Sequence, residues 1–357
     1  MIVRDEERVL ARCLDSVAGV VDEICIADTG SQDRTREIAR ERGARVVEVD
    51  WSDDFAAARN ASLELATGDW ILVLDADEVI SSPDARRSLE AFIERHPQRT
   101  GQVRIDDEGN AAAGLEASTT WITRFFPRAQ RPSFEGRIHE QLLLDGREAE
   151  RAPTSLTIRH DGYTAEAIDA KGKLTRNANL LKQVLLESPE DPYLWWHLGR
   201  TRAVAGDQEA ALEAFSHALR YVDSDVPYVA SLCESACYAL RALDRSPEAL
   251  QLISSIADVF EDRADTLFLA ALLSMDVGRF DDAESGFQAC LALADQPPPR
   301  GGPSSRAAAT SAAAYNLGVL REVLGRTAEA RECYRQALAF DPQHAPSRGG
   351  LMRLDTN

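Results

Sequence analysis

The chain has 357 residues, with 40 Lys and Arg against 59 Asp and Glu, for a formal net charge of −19. This length holds two or three domains, and a composition of 44% hydrophobic and 28% charged residues is that of a folded protein rather than a disordered one. The acidity excludes a nucleic-acid-binding surface as the main business, because neutralising a phosphate backbone takes clustered Lys and Arg.

No run approaches the ~18 apolar residues of a membrane span, and the opening MIVRDEERVL is charged where a signal peptide would be apolar. A cytoplasmic protein with no membrane insertion is expected. Cys13, Cys25, Cys233, Cys237, Cys290 and Cys333 form no CxxC pair. They read as small buried hydrophobes in a reducing compartment.

The first ~125 residues alternate strand and helix signals. Glu23–Ala27 is a short apolar run that ends in the turn-rich Asp28-Thr29-Gly30-Ser31, and it reads as a buried parallel strand. A helix over Asp33–Gly43 follows, with Asp33 as its cap, then a strand over Ala44–Val49 and a helix over Asp54–Ala66 that stops at Gly68. Trp70–Leu74 is a second buried strand, which runs straight into Asp75-Ala76-Asp77-Glu78. The order β-α-β-α-β implies a doubly wound sheet, whose ligands sit at the carboxyl ends of the strands. Asp28 and Asp75 both occupy that edge. Residues 106–114 read as a hairpin tip, Trp121–Phe126 as a strand, Arg128–Ser133 as a loop and Thr154–Arg159 as a last strand.

From about Ala165 the strand signals vanish and a helical period of about 34 residues takes over. Trp195, Leu198, Gly199, Gly206, Ala211, Phe215 and Ala218 fit the tetratricopeptide pattern, and so do Leu317, Gly318, Gly325, Ala330, Tyr334, Ala337 and Pro342. Two degenerate repeats lie between, so four are expected, with a Pro/Gly-rich loop at 296–305. On this pattern Trp195 is a core residue and Trp196 a surface one.

Two carboxylates at i and i+2, presented from a strand end, suit a hard divalent cation and the ribose of a nucleotide. The bland reading of Asp75-Ala76-Asp77 is a solvated loop. Its position directly after Trp-Ile-Leu-Val-Leu favours a cation or ligand that offsets the desolvation.

Met1–Glu7, Asp28–Thr35, Trp51–Asn60 and Leu74–Glu78 together resemble a family 2 glycosyltransferase of GT-A fold, over roughly residues 1–163. With the repeats behind it, the architecture is similar to bacterial peptide and protein S- or O-glycosyltransferases of the glycocin type. The fold class expected is therefore an α/β GT-A, Rossmann-like nucleotide-sugar domain over 1–163, a connecting helix over 164–192, and an all-α tetratricopeptide solenoid over 193–357. The resemblance implies a nucleotide-sugar donor, usually a UDP-sugar, and Mg²⁺ or Mn²⁺. Val3 and Arg4 would lie under the base and ribose, Asp28 and Thr29 would contact the uridine, and Arg59 and Asn60 would line the nucleotide pocket. Asp75 would approach the ribose and Asp77 would bind the metal. His160, in Ile158–Tyr163, would complete the metal shell, against a buried structural histidine as the alternative. For Arg59 the alternative is a surface helix charge. Glu140 and His139, in Phe134-Glu135-Gly136-Arg137-Ile138-His139-Glu140, are the candidates that the family resemblance suggests for a general base. The alternative is a salt bridge from Glu140 to Arg124 or Arg137. Family members begin with several residues of strand ahead of the Met-Ile-Val motif. Here that motif opens the chain, so a nearly absent first strand is expected, with unpaired backbone on its neighbours.

The function expected is an inverting metal-dependent transfer to a peptide or protein acceptor docked by the repeats, which are also a candidate homodimer surface. A saccharide or lipid-linked acceptor is the alternative among enzymes. A non-catalytic scaffold with a decayed transferase module is the alternative of another class.

Overall fold

In the computed structural model of the protein, residues 1–107, 118–160, 170–257, 260, 262–296 and 305–356 are described. The expected hairpin tip, most of the Pro/Gly-rich loop and the Asp161–Tyr163 end of the last motif lie outside them. The chain divides into two compact units, Met1–Asp169 and Ala170–Asn357.

The first unit runs β1 (Ile2–Val3), α1 (Leu10–Ser16), β2 (Cys25–Asp28), α2 (Thr35–Glu41), β3 (Arg45–Glu48), α3 (Phe55–Glu64), β4 (Trp70–Leu72) and β5 (Glu78–Ile80). It continues with α4 (Ala85–Arg95), β6 (Thr100–Asp107), β7 (Ser118–Pro127), β8 (Pro132–Glu135), β9 (Gln141–Leu144) and β10 (Arg151–His160). β1, β2 and β3 form a parallel ladder in which Val3 stands opposite Asp28 and Asp28 opposite Glu48.

The doubly wound expectation holds only that far. β4 pairs antiparallel with β7 and becomes the edge of a mixed five-stranded sheet, ordered β4-β7-β6-β10-β5. β1 is two residues long, and a cavity of about 460 Å³ opens among Met1, Cys25, Trp70, Ile71 and Leu72, between the two sheets. A parallel ladder needs an uninterrupted row of strands. The two-residue β1 pairs with β2 alone, so the row is interrupted before β4.

The core of this unit lies under the mixed sheet. Leu89 and Phe92 of α4 pack on Val103, Ile105, Phe125, Leu156 and Ile158. Along β10 alternate residues are buried, which is the period of a half-covered strand. Burying one such Leu or Ile contributes about 1.5–3 kcal/mol. α2 begins one residue later than a cap at Asp33 would place it. The Asp33 carboxylate instead accepts the N–H of Thr35 (2.9 Å) and of Glu7 (3.0 Å), and so ties the start of α2 to the segment after β1. α3 starts after a cap: the Asp54 carboxylate accepts the N–H of Ala57 at 2.8 Å.

The second unit contains helices only among its described residues. Within the span 164–192 the described helix is α5 (Ala170–Glu187), which falls in this unit. Four antiparallel pairs follow: α6 (Pro192–Val204) with α7 (Gln208–Tyr221), α8 (Val229–Ala242) with α9 (Ser246–Ala257), and α10 (Ala264–Asp276) with α11 (Phe280–Ala292). After the short α12 (Arg306–Ala309), α13 (Ser311–Val323) pairs with α14 (Thr327–Phe340), and α15 (Ala345–Thr356) ends the chain.

The repeat signature works through close approach. A Cβ on Gly199 would lie 2.4 Å from the ring of Phe215, and one on Gly318 would lie 2.7 Å from the ring of Tyr334. The expected roles of Trp195 and Trp196 are reversed. Trp196 is 6% exposed and packs with Phe215 and Leu232, whereas Trp195 is half-buried and stacks on His217. The cause is Tyr228, which lies flat on Trp196 with ring centroids 5.2 Å apart and closes that face of α6. All six cysteines are free; five are buried and Cys25 is half-buried.

Candidate active site

The site is built from strand ends and from α3. At the end of β2 the Asp28 side chain is fully buried. Its Oδ1 accepts the N–H groups of Gly30 (3.2 Å) and Ser31 (3.0 Å), while Oδ2 is buried and meets no hydrogen-bond partner among the described residues. A buried, unused acceptor points to a donor supplied by a ligand. Thr29 donates both its N–H (3.0 Å) and its hydroxyl (3.2 Å) to the Val3 carbonyl, which locks the two adjacent loops together. Val3 is buried and Arg4 is exposed.

Past β4 the backbone turns, and Asp75 enters a network of charges. Arg59 Nη2 donates to its Oδ1 at 3.0 Å and Arg124 Nη2 to its Oδ2 at 2.7 Å. Arg124 Nη2 also donates to Glu78 Oε1 at 2.6 Å, and Glu78 Oε2 accepts the Asp75 N–H at 2.9 Å. Arg59 Nε donates in turn to Glu140 Oε1. The Arg59 guanidinium also lies 5.6 Å from the ring centroid of Phe134.

Burial alone raises the pKa of Asp75, but Arg124 and Arg59 more than offset it and hold the carboxyl well below its usual range. Burial, followed by the neighbouring Asp75, pushes Glu78 up despite Arg124. Arg59 and Glu140 are largely buried, at 12% and 13% side-chain exposure, so Arg59 is not a surface helix charge. Glu140 pairs with Arg59 rather than with Arg124, which is taken by Asp75 and Glu78. Arg59 Nη1 and Arg124 Nε are buried and have no hydrogen-bond partner among the described residues, leaving two donors for an anionic ligand.

Asp77 leaves this network. Its Oδ2 lies 3.1 Å from Nε2 of His160, the last residue of β10. Burial raises the Asp77 pKa, but the hydrogen bond with His160 and the charge of its ring, together with a backbone hydrogen bond, outweigh it and leave the carboxyl lowered. Among the described residues no cluster of three or more His, Cys, Asp or Glu side chains is placed to hold a metal. One carboxylate and one imidazole, converging at this distance, still fit a divalent cation that takes its remaining ligands from a diphosphate and water, and the imidazole suits Mn²⁺ better than Mg²⁺. Asp75, occupied by two arginines, is not available to that cation in this arrangement.

His139 has a left-handed backbone, φ 55°, and Gly136 has φ 98°, so the segment leading to Glu140 is tightly bent. Asn60, expected to line the nucleotide pocket, turns its amide to the β8–β9 hairpin. Its Oδ1 accepts the Phe134 N–H at 2.8 Å and its Nδ2 donates to the Phe134 carbonyl at 2.9 Å. Glu78 was not among the residues singled out from the sequence, and Arg124 entered only as a possible partner of Glu140. An acid immediately after Asp75-Ala76-Asp77 is the one local hint. The β4–β7 pairing that brings Arg124 to it leaves none.

No helix among the described residues is long and apolar enough to cross a membrane. Residues 1–140 match the profile of the family described as Glycosyl transferase family 2, and residues 311–344 match that of the Tetratricopeptide repeat. A TPR repeat-containing protein of Synechococcus elongatus is 39% identical over 223 residues, which is 59% of this chain and 53% of that protein. The SPbeta prophage-derived glycosyltransferase SunS of Bacillus subtilis is 27% identical over 231 residues, 60% of this chain and 50% of SunS. An uncharacterised glycosyltransferase of Rickettsia felis is 33% identical over 98 residues, 28% of this chain and 34% of that protein. The chain thus spans about half the length of the first two relatives. Residues 1–140 are thus similar to glycosyl transferase family 2 and residues 311–344 to a tetratricopeptide repeat, in keeping with the charge network around Asp75 and the glycine–aromatic contacts between paired helices.

Proposed function

We propose that the protein is an inverting, metal-dependent glycosyltransferase. It moves a sugar from a nucleotide-sugar donor, taken as a UDP-sugar, to a side chain of a peptide or protein. The observation that carries this reading is the reach of Arg59. One buried guanidinium spans Asp75 and Glu140, so a donor-side carboxylate and a candidate base stand on either side of a single residue. The likeness to SunS, a protein named as a glycosyltransferase, supports the reaction class.

In this reading Asp28 offers its unused oxygen to a donor group of the base, and the loop locked by Thr29 and Val3 frames it. Arg124 and Arg59 keep Asp75 ionised as a rigid acceptor beside the ribose. Glu140 accepts the proton of the acceptor oxygen or sulfur. The freed electron pair forms the new bond to C1 of the sugar, the bond from C1 to the diphosphate oxygen breaks, and that pair leaves with the nucleoside diphosphate. No covalent enzyme intermediate is needed. A divalent cation held by Asp77 and His160 would supply positive charge to the leaving diphosphate. The spare donors of Arg59 and Arg124 add to it without moving, which suits a preorganised site. The stacked helix pairs serve as the docking surface for the acceptor or for a second copy.

The reading is tested by incubating the full chain with UDP-hexoses and Mn²⁺ and following UDP release. Release that needs Mn²⁺, and that disappears in Asp77→Asn, is expected. The absence of release, with or without added peptides, would contradict it.

A further inference from the structure

The β8–β9 hairpin carries Glu140 in its connection: Glu135 and Gln141 face each other, and 136–140 forms the loop between them. An isolated two-stranded hairpin is marginally stable, and its outer edges expose backbone groups. The first turns of α3 hold this one at three points. Phe55, at the helix start, donates its N–H to the Arg137 carbonyl at 2.8 Å; this is one of the donors that a helix N-terminus leaves unused. Asn60 takes both backbone groups of Phe134, accepting the N–H at 2.8 Å and donating to the carbonyl at 2.9 Å, so its amide stands where a third strand's peptide group would. Arg59 then reaches Glu140 itself while its guanidinium rests over the Phe134 ring at 5.6 Å.

From this geometry we infer that Asn60 is a positioning residue for Glu140 rather than a nucleotide contact. It sets where the Glu140 loop stands relative to Asp75 by fixing Phe134, the residue on which Arg59 also rests. The inference builds on the proposed reading of Glu140 as the base. Its consequence is a split between binding and turnover. The donor groups around Asp28, Asp77 and His160 make no hydrogen bond to Asn60, so donor affinity stays as it is when the amide is removed. The loop shifts, Glu140 moves relative to the acceptor, and a misplacement on the order of 1 Å costs about a hundredfold in rate.

The test uses the full chain. Asn60→Ala removes both hydrogen bonds. Asn60→Asp keeps the acceptor for the Phe134 N–H and loses the donor, and serves as the milder variant should Asn60→Ala fold poorly. UDP affinity in the presence of Mn²⁺, the kcat of sugar transfer and amide hydrogen exchange at Phe134 are measured for each. The expected result is UDP affinity within about twofold of the unmodified chain. Transfer kcat is down roughly tenfold to a hundredfold, with Asn60→Asp the less affected, and protection is lost at Phe134. A fall in UDP affinity at unchanged kcat would overturn the inference and return Asn60 to the nucleotide pocket. A parallel fall in affinity, kcat and melting temperature would overturn it in favour of a general structural role. Failure of the underlying reading looks different: the unmodified chain then releases no UDP from any donor, and Glu140→Gln changes nothing.

Discussion

Asp77 and His160 are 83 residues apart in sequence, and their side chains meet at 3.1 Å, Oδ2 to Nε2, across the end of β10. On the proposed reading the pair supplies half of a cation site, and the Asp77 carboxyl is held below its ordinary pKa. Asp77→Asn keeps the shape and removes the charge. It is expected to abolish Mn²⁺-dependent donor turnover at an unchanged melting temperature. His160→Ala is expected to weaken apparent Mn²⁺ affinity by at least about tenfold. Titrating Mn²⁺ into the turnover assay checks both.

Glu140→Gln retains the size of the side chain and removes its basicity. Transfer to the acceptor should fall by about a hundredfold or more, while slow hydrolysis of the donor by water survives. The ratio of UDP released to sugar transferred, measured on one sample, reports the split. Equal loss of transfer and of nucleotide affinity would mark Glu140 as structural, acting through its pairing with Arg59.

Asp265, in the first turn of α10, has its pKa pushed well up, to about 6, chiefly by burial and in spite of the Ser305 N–H at 2.8 Å. Its unfolded value is near 3.8. Below that value the group is protonated in both states and costs nothing. As pH rises from the unfolded towards the folded value, the unfolded chain ionises while the buried group keeps its proton, and stability falls by at most about 3 kcal/mol before levelling off above the folded value. Between pH 5 and pH 7 the share due to Asp265 is about 1 kcal/mol. Urea unfolding of the unmodified chain and of Asp265→Asn at both pH values should show that extra pH-dependent loss in the former alone.

Gly199→Ala places a methyl group against the fully buried Phe215 ring, where a Cβ would lie only 2.4 Å from the nearest ring carbon. Overpacking of this kind costs about 1–3 kcal/mol. A lower thermal midpoint with unaltered UDP affinity is expected, since no residue of the α6–α7 pair belongs to the donor site described above.

How much of this was legible beforehand depends on the range of each interaction. β2, β3 and α3 follow from short apolar runs and from a helix start at Asp54, all local signals. The glycine–aromatic spacing of the repeats is local as well, and the structure uses it as the period predicts. Asp75, Asp77, Arg59 and Glu140 are singled out by motif, and the charge network contains Asp75, Arg59 and Glu140. What motif order does not encode is how they divide: Asp75 to the arginines, Asp77 to His160. Asn60 shows the same limit. Its partner Phe134 lies 74 residues away, and the bracket depends on β8 having an open edge, which no local pattern records. The exchanged roles of Trp195 and Trp196 arise likewise from Tyr228, which is supplied by the next repeat.

The central claim, that strand ends and α3 form a metal-assisted nucleotide-sugar site, is tested most directly by calorimetric titration of UDP into the full chain with and without Mn²⁺. The account predicts binding that Mn²⁺ strengthens, with the Mn²⁺-dependent part lost in Asp77→Asn and the fold intact. UDP binding of equal strength with and without Mn²⁺, or no binding in either condition, would contradict it.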